Sequence, residues 1–251
     1  MHKPPAPHIF EITKRLRKEY KDFVHYNKKN PLDELVFILC SVKRSEKVYL
    51  NAYRTLKRAF PKYKMLADTP VRKVSQVIAW GGLQNQKARA LKAIIKTLIK
   101  KFGKPTLAPL KKRSDEECEQ FLSSLPGVGK KVARCVMLYS LNRQVFPVDT
   151  HCWRIANRVG WNKKTCNSEN CSAKDMDFLQ ELIPPTIRFS LHVNMVSHGR
   201  KICTARSPKC NACAITRYCS KIGLQDVIME QPNNKSALKR KPIQASYVLT
   251  R

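Results

Sequence analysis

The run LPGVGKKVARCV, residues 125–136, restricts what this chain can fold into more than any other stretch. Gly127 and Gly129 permit a tight turn, because a residue without a Cβ enters left-handed backbone cheaply and lets a ligand approach the main chain. A helix that starts directly after the turn exposes its first amides, which carry partial positive charge and make an anion site, phosphate being the obvious anion. Val132, Val136 and Tyr139 follow at i, i+4 and i+7, so one face of that helix is expected to pack inward. Lys131 then falls in the first turn, beside the anion site. Eighteen residues further on, in the segment VDTH, stands Asp149.

The charge balance says what kind of anion to expect. The chain has 251 residues with 49 Lys plus Arg against 18 Asp plus Glu, a formal net charge of +31. An excess that large repels itself and is most simply explained by a polyanionic partner, although many of the lysines only keep the surface solvated. Nucleic acid fits better than membrane: no run of 18 apolar residues is present to span a bilayer, and MHKPPAPHIFEITKRLRKEY lacks the apolar centre of a secretory signal. The length suits one large or two modest domains with a real core.

Ten cysteines in such a chain point to metal or redox chemistry before a disulfide framework. Four are organised: Cys203, Cys210, Cys213 and Cys219 read C-x6-C-x2-C-x5-C. Four thiolates so close together bind a thiophilic metal, and on spacing alone zinc and an iron–sulfur cluster stand level. Around them lie Arg200, Lys201, Arg206, Lys209, Arg217 and Lys221, either solubilising or, on a rigid loop, a surface for a nucleic-acid backbone. Cys166 and Cys171 read as loop thiols without further ligands; Cys40, Cys118, Cys135 and Cys152 read as small buried hydrophobes.

The remainder reads as helix after helix, with no convincing run of alternating strand residues. Leu91, Ile94, Ile95, Leu98, Ile99 and Phe102 form an apolar stripe that Gly103 and Pro105 end. Val48, Ala52, Leu56 and Ala59 mark another helix, and Pro31 starts a buried one, with Asp33 and Glu34 in its first turn. Thr69 and Pro70 look like N-cap and first residue of a helix carrying Val74, Val77 and Ile78, and Ser114 with Glu117 has the form of a capping box. From Gly223 onward the chain is polar and basic with little periodicity, which predicts a disordered tail over 223–251.

LPGVGKK and VDTHCWRIANRVG resemble the hairpin and the aspartate segment of the endonuclease III family of helix-hairpin-helix DNA glycosylases, iron–sulfur type, and the resemblance runs from about Ile12 to Cys219. It implies an all-α, two-lobed fold. A six-helix barrel containing the hairpin would occupy 31–143; the N-terminal helix within 1–30 would pack with a cluster domain at 144–222, and the cleft between lobes would hold Lys131 opposite Asp149. The resemblance also implies that Lys131 is the nucleophile, Asp149 the carboxylate that steadies developing positive charge, and the four cysteines the ligands of a structural [4Fe–4S] cluster. Gly127, Val128, Gly129 and Lys130 would meet the DNA backbone. GGLQNQKAR looks like the family's wedge loop, with Leu83 entering the gap left by an extruded nucleotide and Gln84 beside the orphaned base. His151 would orient Asp149 or touch phosphate. Lys130, Arg134 and the helix end are expected to push the Lys131 pKa down.

The match departs from the family in two places. Its SAQ or SSQ motif becomes SVKRSE here, which puts Lys43 where a glutamine usually enters the vacated space, and Arg134 replaces a smaller polar residue. A glutamine donates and accepts hydrogen bonds while lysine and arginine only donate, so both changes bear on the lesion accepted and on phosphate contact. The expected activity is a bifunctional glycosylase and AP lyase of base excision repair, on a damaged or modified pyrimidine. The alternatives are an AP lyase with weak base excision and a non-enzymatic iron–sulfur DNA-binding protein. The expected partner is double-stranded DNA with a damaged base or an abasic site, met by a monomer inside the cell and away from membranes.

Overall fold

The computed structural model describes residues 4–24, 26–41, 46–78, 83–162 and 171–224, and among these every regular element is helical. Lys43, Cys166, Gly81, Gly82 and the tail from 225 lie outside the described residues. The elements are α1 (Ile9–Tyr20), α2 (Pro31–Ser41), α3 (Glu46–Ala59), α4 (Lys64–Asp68), α5 (Val71–Val77), α6 (Gln84–Phe102), α7 (Asp115–Ser123), α8 (Lys130–Ser140), α9 (Thr150–Val159), α10 (Ala173–Leu182) and α11 (Arg188–Lys201).

Buried apolar side chains fall into two clusters. The first draws on positions 32–145 and packs α2 on α3 and α8, α6 on α4 and α5, and α7 on α8. The second joins α1 to positions 146–215, with α11 packed on both α1 and α9. The chain therefore crosses between cores twice, at 21–30 and at 141–149. Ser140 Oγ donates to the Lys28 carbonyl at 2.6 Å, and Asn194 Nδ2 donates to Asp22 Oδ1 at 2.7 Å, so the first crossing is tied down on both sides.

Local chemistry explains the element ends. Asn30 Oδ1 accepts from the amides of Leu32 and Asp33 at 2.9 and 3.2 Å, a cap that sets the start of α2. Asp33 in turn accepts from Tyr53 and Tyr63 and pairs with Lys57, which sews α2 to α3 and the start of α4. The Ser114–Glu117 capping box forms as expected, with both reciprocal bonds present. On α3 the inward face is Tyr49, Ala52, Tyr53 and Leu56, while Ala59 is exposed; Ala52 and Leu56 lie inward as expected, and the two tyrosines complete the face in place of Val48 and Ala59. Thr69 does not cap α5 either. Its Oγ1 donates back to the Met65 carbonyl at 2.7 Å, and Pro70 takes the cap position.

Candidate active site

The hairpin forms between α7 and α8. Gly127 has φ +75°, backbone that an L side chain rarely adopts, and a Cβ there would also stand 3.3 Å from the Ala90 Cβ of α6. Gly129 is extended and caps α8, and a Cβ on it would meet nothing within 4 Å. Open space at that helix start is what an approaching phosphate needs. Unlike the one-faced helix expected, α8 is buried almost all round; Val132, Ala133, Arg134, Cys135, Val136, Met137, Leu138 and Ser140 are all inside. Lys131 and Tyr139 are the partly exposed exceptions beyond its first residue.

Asp149 is the N-cap of α9, where its Oδ1 accepts from the amides of His151 and Cys152 at 2.9 and 2.8 Å. The starts of two helices from two different cores thus carry Lys131 and Asp149, and each charge acts on the other. Burial works to raise the Asp149 pKa, but His192, His151, Lys131 and the Cys152 amide together bring it below the ordinary aspartate value.

Lys131 runs against the expectation that its pKa would be depressed. It is raised, first by the Cys135 sulfur one turn along and then by Asp149, Cys152 and Glu34, with burial opposing them. The two cations counted on to lower it are already neutralised. Arg134 donates through Nε to Glu119 Oε2 at 2.6 Å, through Nη1 to the Met176 carbonyl at 3.1 Å and through Nη2 to Asp177, and its side chain is only 3 % exposed. Lys130 Nζ lies 2.6 Å from Asp177 Oδ2 and 3.2 Å from Glu119 Oε1. In this geometry Arg134 has no face to offer DNA, and Lys130 is held among carboxylates instead of pointing to phosphate.

His151 is held through Arg154. Its Nδ1 accepts from Arg154 Nη2 at 2.9 Å, the same Nη2 donates to the Gly199 carbonyl at 2.9 Å, and Arg154 Nε donates to the Cys203 carbonyl at 2.9 Å. A hydrogen-bonded chain therefore runs from the cysteine loop to the residue whose amide caps Asp149. Burial lowers the His151 pKa, which fits an imidazole accepting from a guanidinium.

Leu83 precedes α6 with its side chain 53 % exposed and φ +51°, a left-handed conformation that a leucine holds only under strain. Gln84, partly buried, begins the helix. Gly127 packs on Ala90, seven residues along α6 from Leu83, so hairpin and exposed leucine stand on the same helix.

Cys203, Cys210, Cys213 and Cys219 line one cavity, walled by Ile155, Ile202, Ile215 and Leu224. Arg158 Nη1 donates to Cys203 Sγ at 3.2 Å, and His198 Nε2 lies 3.4 Å from Cys213 Sγ with Tyr20 Oη at 2.9 Å from the other ring nitrogen. Among the described residues no three His, Cys, Asp or Glu side chains are grouped to hold a single metal ion. Four thiols on one cavity are the donor type that an iron–sulfur cluster takes. Around it Arg200, Lys201, Arg206, Lys209 and Arg217 are exposed.

Sequence reading missed Glu34 and His192. Glu34 is wholly buried, its carboxylate accepts from Asn27 and from the Lys28 amide, and burial pushes its pKa up to about 7 even though Lys28, Asn27 and Lys131 pull it down. It looked like a first-turn acid because i+3 spacing cannot tell which face α8 will cover. His192, also buried, packs edge-on to Tyr139 and Phe146 with its Nδ1 3.5 Å from Cys152 Sγ.

Comparisons with known proteins agree with this arrangement. The family model described as HhH-GPD superfamily base excision DNA repair protein matches residues 38–181. The chain is 34 % identical over 203 residues to "Putative DNA glycosylase At3g47830" of Arabidopsis thaliana, covering 79 % of this chain and 67 % of that protein. It is 28 % identical over 212 residues to endonuclease III of Thermotoga maritima, covering 83 % and 89 % of the two chains. The fold matches a solved non-covalent endonuclease III–DNA complex with TM-score 0.72 at 23 % identity, over 85 % of this chain and 94 % of the other. With the hairpin, the second-lobe aspartate and more than half the chain under one family model, this protein belongs to the HhH-GPD superfamily of base excision DNA repair proteins, on its endonuclease III-like side.

Proposed function

We propose that the chain is a bifunctional DNA glycosylase and AP lyase that removes a damaged or modified pyrimidine from duplex DNA and then nicks the strand. The observation that carries this reading is Lys131 and Asp149 acting on each other's charge from the starts of helices built on two cores. Docking alone requires neither group. The Gly129 amide and the open start of α8 receive phosphate, the Val128 amide being held by the Leu125 carbonyl at 3.1 Å; Leu83 fills the gap, and the target nucleotide turns out between the lobes.

The Lys131 amine bonds to C1′ of the sugar as the base departs with the glycosidic electron pair and takes up a proton. Asp149, held ionised, stabilises the positive charge on the sugar during that step. The aminal opens to a Schiff base, loss of a C2′ proton expels the 3′ phosphate, and water releases the lysine. The attack requires a free amine, so the Lys131 proton must leave first. Of the two acids whose charge it feels, Glu34, with a pKa raised to about 7, is matched to a proton at neutral pH more closely than Asp149, whose pKa lies below the ordinary value. Cys203, Cys210, Cys213 and Cys219 would hold a [4Fe–4S] cluster, which supplies cross-linking and folding energy to the loop.

A second reading, an AP lyase with weak excision, draws on the raised Lys131 pKa: a protonated amine is slow at C1′ of an intact nucleotide, whereas the aldehyde of an abasic site is more reactive. Borohydride added to protein and abasic-site duplex should trap a covalent adduct that Lys131→Ala abolishes. No adduct from the wild-type protein would overturn the lysine mechanism. A panel of duplexes with oxidised or methylated pyrimidines then separates glycosylase from simple lyase.

A further inference from the structure

Glu119, Lys130, Arg134 and Asp177 form one connected array. Glu119 lies on α7 and Lys130 and Arg134 on α8, all built on the first core; Asp177 lies on α10, which packs in the second. Both cations touch both acids: Arg134 reaches Glu119 at 2.6 Å and also Asp177, while Lys130 reaches Asp177 at 2.6 Å and Glu119 at 3.2 Å. Arg134 adds a third tie across the boundary, to the Met176 carbonyl at 3.1 Å. In a protein with 49 basic and 18 acidic side chains, two carboxylates matched to two cations leave no charge over for phosphate.

We propose that this array is an interlobe clamp and that Asp177 is a positioning residue for the lysine chemistry. The clamp spans the same boundary that Lys131 and Asp149 face across, and its Lys130 is the immediate neighbour of Lys131. It fixes the lobes so that nucleophile and carboxylate meet at working separation. A group held about 1 Å out of place costs on the order of a hundredfold in rate, so a device with no contact to DNA still governs turnover. Arg134 explains why the clamp closes: a smaller polar residue at that place would not span from Glu119 to Asp177. The inference rests on the proposed lysine mechanism for its rate readout, and on geometry alone for its second readout.

The test uses the full chain carrying Asp177→Asn, Asp177→Glu or Glu119→Gln. Single-turnover cleavage of an abasic duplex at saturating protein should slow roughly 10–100-fold in Asp177→Asn and recover toward wild type in Asp177→Glu, with the duplex Kd within about threefold throughout. Amide hydrogen exchange, measured without DNA, should rise across residues 127–134 and 173–182 in Asp177→Asn and Glu119→Gln. Wild-type rates in Asp177→Asn, or equal losses in Asp177→Asn and Asp177→Glu, would overturn the positioning role. Unchanged exchange in both segments would overturn the clamp itself. If the wild-type protein forms no borohydride adduct, the lysine mechanism fails by that result, and the exchange measurement still decides whether the lobes are clamped.

Discussion

Asp149 has two duties, and one substitution separates them. Asparagine caps a helix about as well as aspartate, so Asp149→Asn keeps the bonds from His151 and Cys152 and should change stability by no more than about 1 kcal/mol. It removes the charge that opposes the sugar cation, so base release should slow by roughly two to four orders of magnitude with duplex affinity nearly intact. A stable variant that retains wild-type single-turnover rates would remove Asp149 from the chemistry. Glu34 gives a second residue-level outcome, in pH. Its pKa is raised from 4.5 to about 7 in the folded state, so folding holds its proton more tightly than the unfolded chain does. Stability from this group is complete below the unfolded value and is lost as pH climbs from about 4.5 through 7, by on the order of 3 kcal/mol. Urea unfolding of wild type and Glu34→Gln at pH 5 and pH 7.5 should show that slope in the first and lose most of it in the second. The places of Lys131 in a first helical turn and of Asp149 at a helix start are legible in sequence because a turn and a cap are local. The Lys131 pKa is not, since Asp149, Cys152 and Glu34 add to the neighbouring Cys135 from outside α8 only after the chain has folded.

At the scale of elements, the crossing of α9 over α11 decides whether the aspartate is held. Gly199 is what allows it: a Cβ there would fall 2.6 Å from the His151 Cβ and 2.8 Å from its Nδ1. Neither obstacle moves easily, because the His151 ring is bonded to Arg154, which is also anchored on the Cys203 carbonyl. Gly199→Ala should therefore force the helices apart and cost about 1–3 kcal/mol, lowering Tm by roughly 2–4 °C per kcal/mol in a chain of this size. The same change should slow base release, since His151 supplies an amide to Asp149. An unshifted Tm would mean that α9 and α11 pack less closely than this geometry requires. Periodicity and caps made α6 and α7 readable in advance. For α8 they gave the helix but not its all-round burial, and for α11 they gave nothing, because a helix covered on every side has no polar face to set the period; in α11 His192, Asn194, Ser197 and His198 are buried along with its apolar residues.

For the molecule as a whole, the charge of +31 announces a polyanion but does not say which cations meet it. Arg134 and Lys130 look like DNA contacts by position, yet their charge is taken up by Glu119 and Asp177. Arg206, Lys209 and Arg217, on the loop that the cysteines shape, are exposed. Salt dependence distinguishes the two groups, because each phosphate neutralised contributes about −0.9 to the slope of log K against log salt on duplex DNA. Fluorescence anisotropy with an undamaged duplex should show the wild-type affinity falling about 10³–10⁵-fold between 50 and 200 mM salt, as six to ten contacts require. Arg206→Gln and Lys209→Gln should each flatten the slope by about 0.9 where the side chain meets phosphate, whereas Arg134→Gln should leave it unchanged. The reverse pattern, with a shallower slope only for Arg134→Gln, would mean that the ion pairs open on DNA and that Arg134 returns to the backbone-binding role its place after the hairpin first suggested. A slope no steeper than about −2 in the wild type would mean that most of the excess charge faces something other than a duplex, and the composition argument would lose its force.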